Sequence, residues 1–225
     1  MRFARLCFVA LAVLALSGIS FAGQENLNFV SVGGASIGGE YVYPYYFSIN
    51  GSSTLTPLIC DTYDKSIGFG ESWTANVYSL TSGQGLWMGV GQDGFSGLKN
   101  YEAAAIIFGW LLNGSTVAGQ QVNAMTGNLA IWALFDGGRT NSGWTTYEQT
   151  LINMALASTG SQSLAFYNQF TVYTPTNTQA NGPQEFIGYN NGGLPPAPLP
   201  EPASLPMFVS SLVIAGGFLG RKLRA

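Results

Sequence analysis

The sequence contains no histidine and very little charge. Without histidine the chain lacks the commonest general base, the commonest metal ligand and any Ser-His or Cys-His pair. Only 8% of its 225 residues are charged, whereas about a quarter is typical of soluble domains. We therefore expect no enzymatic activity, no metal site and no cofactor. Hydrophobic residues make up 47% of the chain, which is enough for a substantial core.

Cysteine is also scarce, with only Cys7 and Cys60 present. Cys7 lies in an apolar N-terminal run that we expect to be removed. A mature chain with one cysteine cannot form an internal disulfide, so its stability has to come from its core.

Basic residues are nearly absent from the body of the chain. Between residues 23 and 200 there are three basic and ten acidic residues, a net charge of −7. Because binding to a phosphate backbone relies on Lys and Arg, this balance excludes nucleic acid as a partner class. It also provides no attraction to anionic lipid.

Residues 1–22 have the pattern of a signal peptide. Arg2 and Arg5 precede an apolar run, and small residues end the segment at Ala22. We therefore expect signal peptidase to cleave between Ala22 and Gly23. The alternative, a first transmembrane helix, is disfavoured because the apolar run is short.

The C-terminal end has three consecutive parts. Residues 194–202 are rich in proline and predict an extended linker, residues 203–220 carry no charge, and residues 221–225 are basic. As a helix, the uncharged run would be about 27 Å long, close to the roughly 30 Å of a bilayer core. Arg221, Lys222 and Arg224 would then stop the span at the cytoplasmic side.

This order of parts resembles the PEP-CTERM sorting signal, with Pro200, Glu201 and Pro202 as its motif. The resemblance covers about the last 26 residues. It implies an inner-membrane anchor that is transient and is processed by an exosortase-type enzyme in a Gram-negative producer of exopolysaccharide. The mature protein would reach the cell surface or the extracellular space. The alternative is a permanent single-pass anchor.

The body, residues 23–193, predicts an α+β domain in which a sandwich-like or barrel-like set of strands contains an insertion of about three helices. Apolar residues alternate in the first part, and Asn50-Gly51 predicts a hairpin turn. The predicted strands are 40–49, 52–60, 73–80, 165–173 and 185–189, and the predicted helices are 101–112, 120–135 and 145–157.

Short motifs in the body resemble exported thioester-type adhesin domains. They are Ile59-Cys60-Asp61, Trp73-Thr74-Ala75, Tyr101-Glu102-Ala103-Ala104 and Ala130-Ile131-Trp132. The resemblance implies that a strand cysteine, here Cys60, would form a thioester with a glutamine that acylates amines on a target. Asn128 occupies the glutamine position, and its side chain is one methylene shorter. Cys60 and Asn128 are therefore the candidate thioester-like pair.

Each of these candidates has a simpler alternative. Cys60 alone predicts a buried small hydrophobic residue, and Asn128 predicts a helix-surface or capping residue. Asp61 and Asp64 suggest a solvated strand end rather than a calcium site. The candidate sugar-stacking residues Tyr41, Tyr43 and Tyr45 alternate along one strand, where they equally suit a buried face.

Together these patterns predict an exported, non-enzymatic surface or extracellular-matrix protein with an adhesive or structural role. Its expected partners are signal peptidase, an exosortase-type enzyme, and exopolysaccharide or other surface proteins. The alternatives are a covalent adhesin that uses Cys60 and a carbohydrate-binding module of the exopolysaccharide matrix.

Overall fold

A computed structural model describes residues 23–87 and 97–190. The described strands are β1 (Gly23–Val32), β2 (Ser36–Ile37), β3 (Glu40–Tyr41), β4 (Tyr45–Ile49), β5 (Leu55–Cys60), β6 (Ser72–Ser79), β7 (Thr116–Val117), β8 (Gln120–Gln121), β9 (Phe170–Pro175) and β10 (Phe186–Tyr189). The described α-helices are α1 (Gly97–Leu112), α2 (Ala124–Phe135), α3 (Thr146–Ser158) and α4 (Leu164–Tyr167). These elements confirm the α+β class.

Six of the strands close into a barrel in the order β1-β4-β5-β10-β9-β6, and every neighbouring pair is antiparallel. Alternate side chains of these strands point inward, as the period of two requires. The barrel interior is aromatic: the ring of Phe47 lies 4.8 Å from that of Phe186 and 5.7 Å from that of Trp73. Asn50 and Gly51 have positive φ angles of 52° and 74° and form the predicted turn between β4 and β5.

The helices are inserted between β6 and β9, and α1, α2 and α3 pack against one another. Helix α1 is apolar on nearly all sides, and its residues 103–108 are fully buried. An apolar surface on nearly all sides is typical of a helix enclosed within a protein. Helix α2 also contacts β5, so it connects the helical layer to the barrel.

Several predicted boundaries were wrong: the strand predicted from residue 52 begins at Leu55, and the helix predicted from residue 101 begins at Gly97. The strand 40–49 is interrupted at residues 42–44, which separates β3 from β4. The helix expected from residue 120 begins only at Ala124, because Asn123 caps it by accepting hydrogen bonds from the Met125 and Thr126 N–H groups. The strand expected from residue 165 starts instead as helix α4, whose first turn is capped by Ser163.

The described ranges contain no helix that is long and apolar enough to cross a membrane. The predicted signal peptide (1–22) and most of the C-terminal region, from residue 191 onward, lie outside them. Ala22, the motif Pro200-Glu201-Pro202, the span 203–220 and the basic residues Arg221, Lys222 and Arg224 are therefore not described.

A tight backbone approach holds the turn after α2 in place. A Cβ atom at Gly138 would lie 2.6 Å from the Leu129 carbonyl oxygen and 2.7 Å from the Ala133 nitrogen.

We expect Gly138→Ala to lower the free energy of unfolding by about 2 kcal/mol or more, measured by urea denaturation. Gly160→Ala is the matched control, because a Cβ at Gly160 meets nothing within 4 Å. Equal stabilities of the two variants would contradict the close approach at Gly138.

Candidate functional site

Strand β5 ends at Cys60. Cys60 and the residues that follow it make a series of polar contacts with one another and with other parts of the described chain. Cys60 is fully buried, which confirms the simpler expectation for its burial. The side chain of Asn128, on α2, donates from Nδ2 to the Cys60 carbonyl oxygen at 2.9 Å. Its Oδ1 accepts from the Tyr43 N–H at 2.9 Å. The two residues of the candidate thioester-like pair are therefore neighbours.

The Cys60 thiol is held in a closed environment. Its sulfur donates to the Thr62 carbonyl oxygen at 3.1 Å, and the Thr62 N–H points back to the sulfur at 3.4 Å. Burial is the main cause that raises the pKa of Cys60 well above its ordinary value, and the neighbouring Asp61 raises it further. Since the thiolate is the nucleophile, this environment keeps the sulfur in its unreactive protonated form.

Helix α2 positions Asn128 by its cap and its apolar face. The capping box at Asn123 and Thr126 fixes the first turn of the helix. Leu129 and Trp132 then pack into the barrel cluster together with Cys60. Asn128 lies on the same buried side and is fully enclosed, so the expectation of a helix-surface or capping residue was wrong. Its two hydrogen bonds satisfy an amide that would be costly to bury alone.

Next to Cys60 lies a pair of buried carboxyl groups, Asp61 and Glu185, both fully enclosed. Glu185 accepts hydrogen bonds from the hydroxyl groups of Tyr101 and Thr174. It also accepts the Leu86 N–H at 2.8 Å. The two oxygens of Glu185 therefore accept hydrogen bonds from three donors. The expectation that Asp61 is a solvated strand end was wrong, whereas Asp64 is exposed as expected.

The hydrogen bonds indicate which acid carries the proton. Asp61 Oδ1 accepts from the Thr62 hydroxyl at 3.1 Å, but no donor reaches Oδ2. Burial first, and then the charge of Glu185, raise the pKa of Asp61 well above its ordinary value. A proton on Oδ2 allows Asp61 to donate to Glu185. A protonated Asp61 avoids two adjacent negative charges in the interior.

A second pair of carboxyl groups, Asp136 and Asp64, lies at the outer side of the same segment. Asp136, which ends α2, accepts the Tyr63 N–H at 2.7 Å and the Asp64 N–H at 3.3 Å. Burial is the main cause that raises the pKa of Asp136 to about 7, and a side-chain contact with Asp64 adds to the shift. The ring of Tyr63 covers Trp132 at a centroid distance of 5.2 Å. Asp136 therefore ends α2 and also caps the loop at Tyr63 and Asp64, which is distant in sequence.

The three candidate sugar-stacking tyrosines do not share one exposed face. Tyr45 is buried, and Tyr43 is half-buried with its ring 5.2 Å from that of Phe108. Tyr41 is 45% exposed. Within residues 23–87 and 97–190, no group of three or more His, Cys, Asp or Glu side chains is placed to hold a metal ion.

Sequence reasoning missed Glu185, Gln184 and Tyr101 as members of this site. Gln184 donates to the Thr62 carbonyl oxygen at 3.1 Å, 122 residues away in sequence. No local pattern signals such a contact.

Comparison with known proteins identifies no relative of this chain. No protein-family model, no curated protein and no solved structure matches it.

The carboxyl pair predicts opposite responses to two isosteric substitutions. Asp61→Asn keeps a donor toward Glu185 without having to take up a proton on folding, so we expect its unfolding free energy at pH 7 to be at least that of the wild type. Glu185→Gln places an amide group against three donors, and we expect a loss of about 3 kcal/mol. Denaturant unfolding of both variants measures this difference. A larger loss for Asp61→Asn would reverse the proton assignment.

The same pair sets a dependence of stability on pH. Because folding raises the pKa of Asp61, the stability due to its proton is complete below the ordinary pKa of 3.8 and is lost as the pH rises toward the raised value. Above pH 4 we therefore expect the wild type to lose stability with rising pH more steeply than Asp61→Asn. If the unfolding free energies of the two proteins changed in parallel from pH 4 upward, this expectation would be contradicted.

Asp136 provides a direct titration test. We expect its side-chain carboxyl carbon to titrate at about 7 in the wild type, followed by carbon-detected NMR. Asp64→Asn supplies an amide donor in place of a like charge, so it should lower the pKa of Asp136. Glu71→Gln, a neutralisation elsewhere on the surface, is the control and should leave the titration unchanged. An unshifted pKa in Asp64→Asn would exclude Asp64 as a cause.

Proposed function

We propose that this chain is an exported surface or extracellular-matrix protein with an adhesive or structural role, sorted through a PEP-CTERM tail. The observation that carries the proposal is the coincidence of Pro200-Glu201-Pro202, the uncharged run 203–220 and the basic residues 221–225. The signal-peptide pattern that ends at Ala22 supports export as well.

The body supports a structural role more than a catalytic one. Its only cysteine is enclosed and protonated, and Asn128 already makes two hydrogen bonds. The charged centre formed by Glu185 is sealed from solvent, so a substrate has no access to it. A closed barrel also has no free strand edges, which favours persistence outside the cell because edge-to-edge association is prevented.

A second candidate function is covalent adhesion through Cys60, favoured by one observation: the Asn128 amide lies against Cys60. Attack of the thiol sulfur on the amide carbon would form a thioester and release the amide nitrogen as ammonia. A surface amine could then displace the sulfur, forming an amide bond and returning the thiol. The protonated thiol and the shorter Asn side chain disfavour this reaction.

An intact mass spectrum of the protein from its native host tests both candidates. We expect a product that begins at Gly23, lacks residues 221–225, and shows no loss of one ammonia. Unfolded protein should be alkylated at Cys60, and Cys60→Ala is the matched control. A product that retains Arg221 to Ala225 would contradict sorting. A mass lower by one ammonia, together with resistance to alkylation until an amine is added, would establish the covalent candidate.

A further inference from the structure

A cleft of about 50 Å³ opens on the surface beside β3 and has Gln184 in common with the buried centre. Glu40 and Tyr41 form its outer side, and Phe29, Tyr45 and Gln184 form its inner side. Counting about 10–15 Å³ for each water-sized occupant, the cleft holds a group of about four non-hydrogen atoms. This is the size of a guanidinium group and is much smaller than a sugar ring.

The polar groups of the cleft are hydrogen-bond acceptors in fixed positions. Gln184 is only 7% exposed, and its Nε2 donates both hydrogens, to the carbonyl oxygens of Thr62 and Lys65. These two bonds fix the amide, and its oxygen receives no hydrogen bond from any described residue. The Tyr45 hydroxyl donates to the Tyr41 carbonyl oxygen, so its hydrogen is also in use.

Glu40 adds a negative charge to these acceptors. Its carboxylate is exposed and has no basic partner in the ranges 23–87 and 97–190. The surrounding body is acidic, so its field attracts cations. A ligand that satisfies the cleft has to supply N–H donors and positive charge together.

The exposed rings of Tyr41 and Phe69 form an aromatic wall beside Glu40, and this wall supplies the remaining element of a cation site. Tyr41 is 45% exposed, and Phe69 is 59% exposed. Phe69 stacks on Phe29 at 5.0 Å, and its centroid lies 5.8 Å from that of Tyr41. Exposed ring faces next to a carboxylate attract cations, and a planar guanidinium stacks on them better than an ammonium does.

We propose that this cleft binds the guanidinium group of an arginine side chain on a partner protein, with Glu40 and Gln184 accepting its N–H groups and the Tyr41 ring stacked against it. Arginine is favoured over lysine because its planar fork matches a carboxylate and an amide oxygen at once. This binding activity goes beyond the proposed sorting and does not depend on it.

Ligand-observed NMR titration of the purified full chain tests the site with a capped Gly-Arg-Gly peptide. Capped Gly-citrulline-Gly, which has the same shape without the charge, and glucosamine are the comparison probes. We expect saturable binding of the arginine peptide, binding of the citrulline peptide weaker by about tenfold or more, and weak binding of glucosamine. Saturation transfer should be strongest at the arginine δ protons, which lie nearest the aromatic wall.

Two variants of equal charge change locate the binding. Glu40→Gln should weaken binding of the arginine peptide about tenfold or more, whereas Glu25→Gln, on barrel strand β1 and not among the residues that line the cleft, should leave its affinity unchanged. Glu40 is exposed and Glu25 is half-buried, so both variants are expected to fold. Equal losses of affinity in the two variants would mean that net charge alone causes the effect, and this would overturn the proposal. Equal binding of the citrulline peptide, or tighter binding of glucosamine, would also overturn it.

Discussion

The carboxylate of Glu185 is the group on which the arrangement of barrel and helices depends. It lies just before β10 and accepts hydrogen bonds from Tyr101 on α1, Thr174 on β9 and the Leu86 backbone. One buried charge therefore connects the barrel wall, the first inserted helix and the segment after β6. An apolar residue there would avoid the cost of burying a charge, but it would leave these donors without an acceptor. The negative charge is retained because it satisfies all three.

This use of charge inside the protein contrasts with its outer surface. In a chain with few charged residues, Asp61 and Glu185 are enclosed, while the barrel exterior relies on neutral side chains. Across the β1–β6 pair, Gln24 bonds Asn76, and Asn28 bonds Ser72. Hydrogen bonds between neutral groups depend little on ionic strength, unlike exposed ion pairs. Such a surface suits a protein exposed to changing salt outside a cell.

Much of the fold follows from local sequence patterns, whereas most of the site does not. Alternating apolar residues and the Asn50-Gly51 turn predict β4 and β5, and an all-apolar stretch predicts α1. The proximity of Cys60 and Asn128 was expected only from a family resemblance. The burial of Asp61 was not foreseen, because an acid after a strand has the same local pattern whether it faces solvent or a partner. That partner, Glu185, is distant in sequence. It lies 123 residues after Thr62, the residue that follows Asp61.

The contacts of Asn128 explain how a site that resembles a reactive one can serve as a structural joint. The amide nitrogen of Asn128 is directed at the Cys60 carbonyl oxygen, whereas the reaction would need the amide carbon directed at the Cys60 sulfur. The amide oxygen of Asn128 accepts the Tyr43 N–H. Attack by the thiol would first require the loss of both buried hydrogen bonds, each worth about 1 kcal/mol net and more when left unpaired. It would also require ionisation of a thiol whose pKa is raised by burial. The bonds that join α2 to β5 therefore oppose the reaction, and they favour a structural role for this pair of residues over a role as an electrophile.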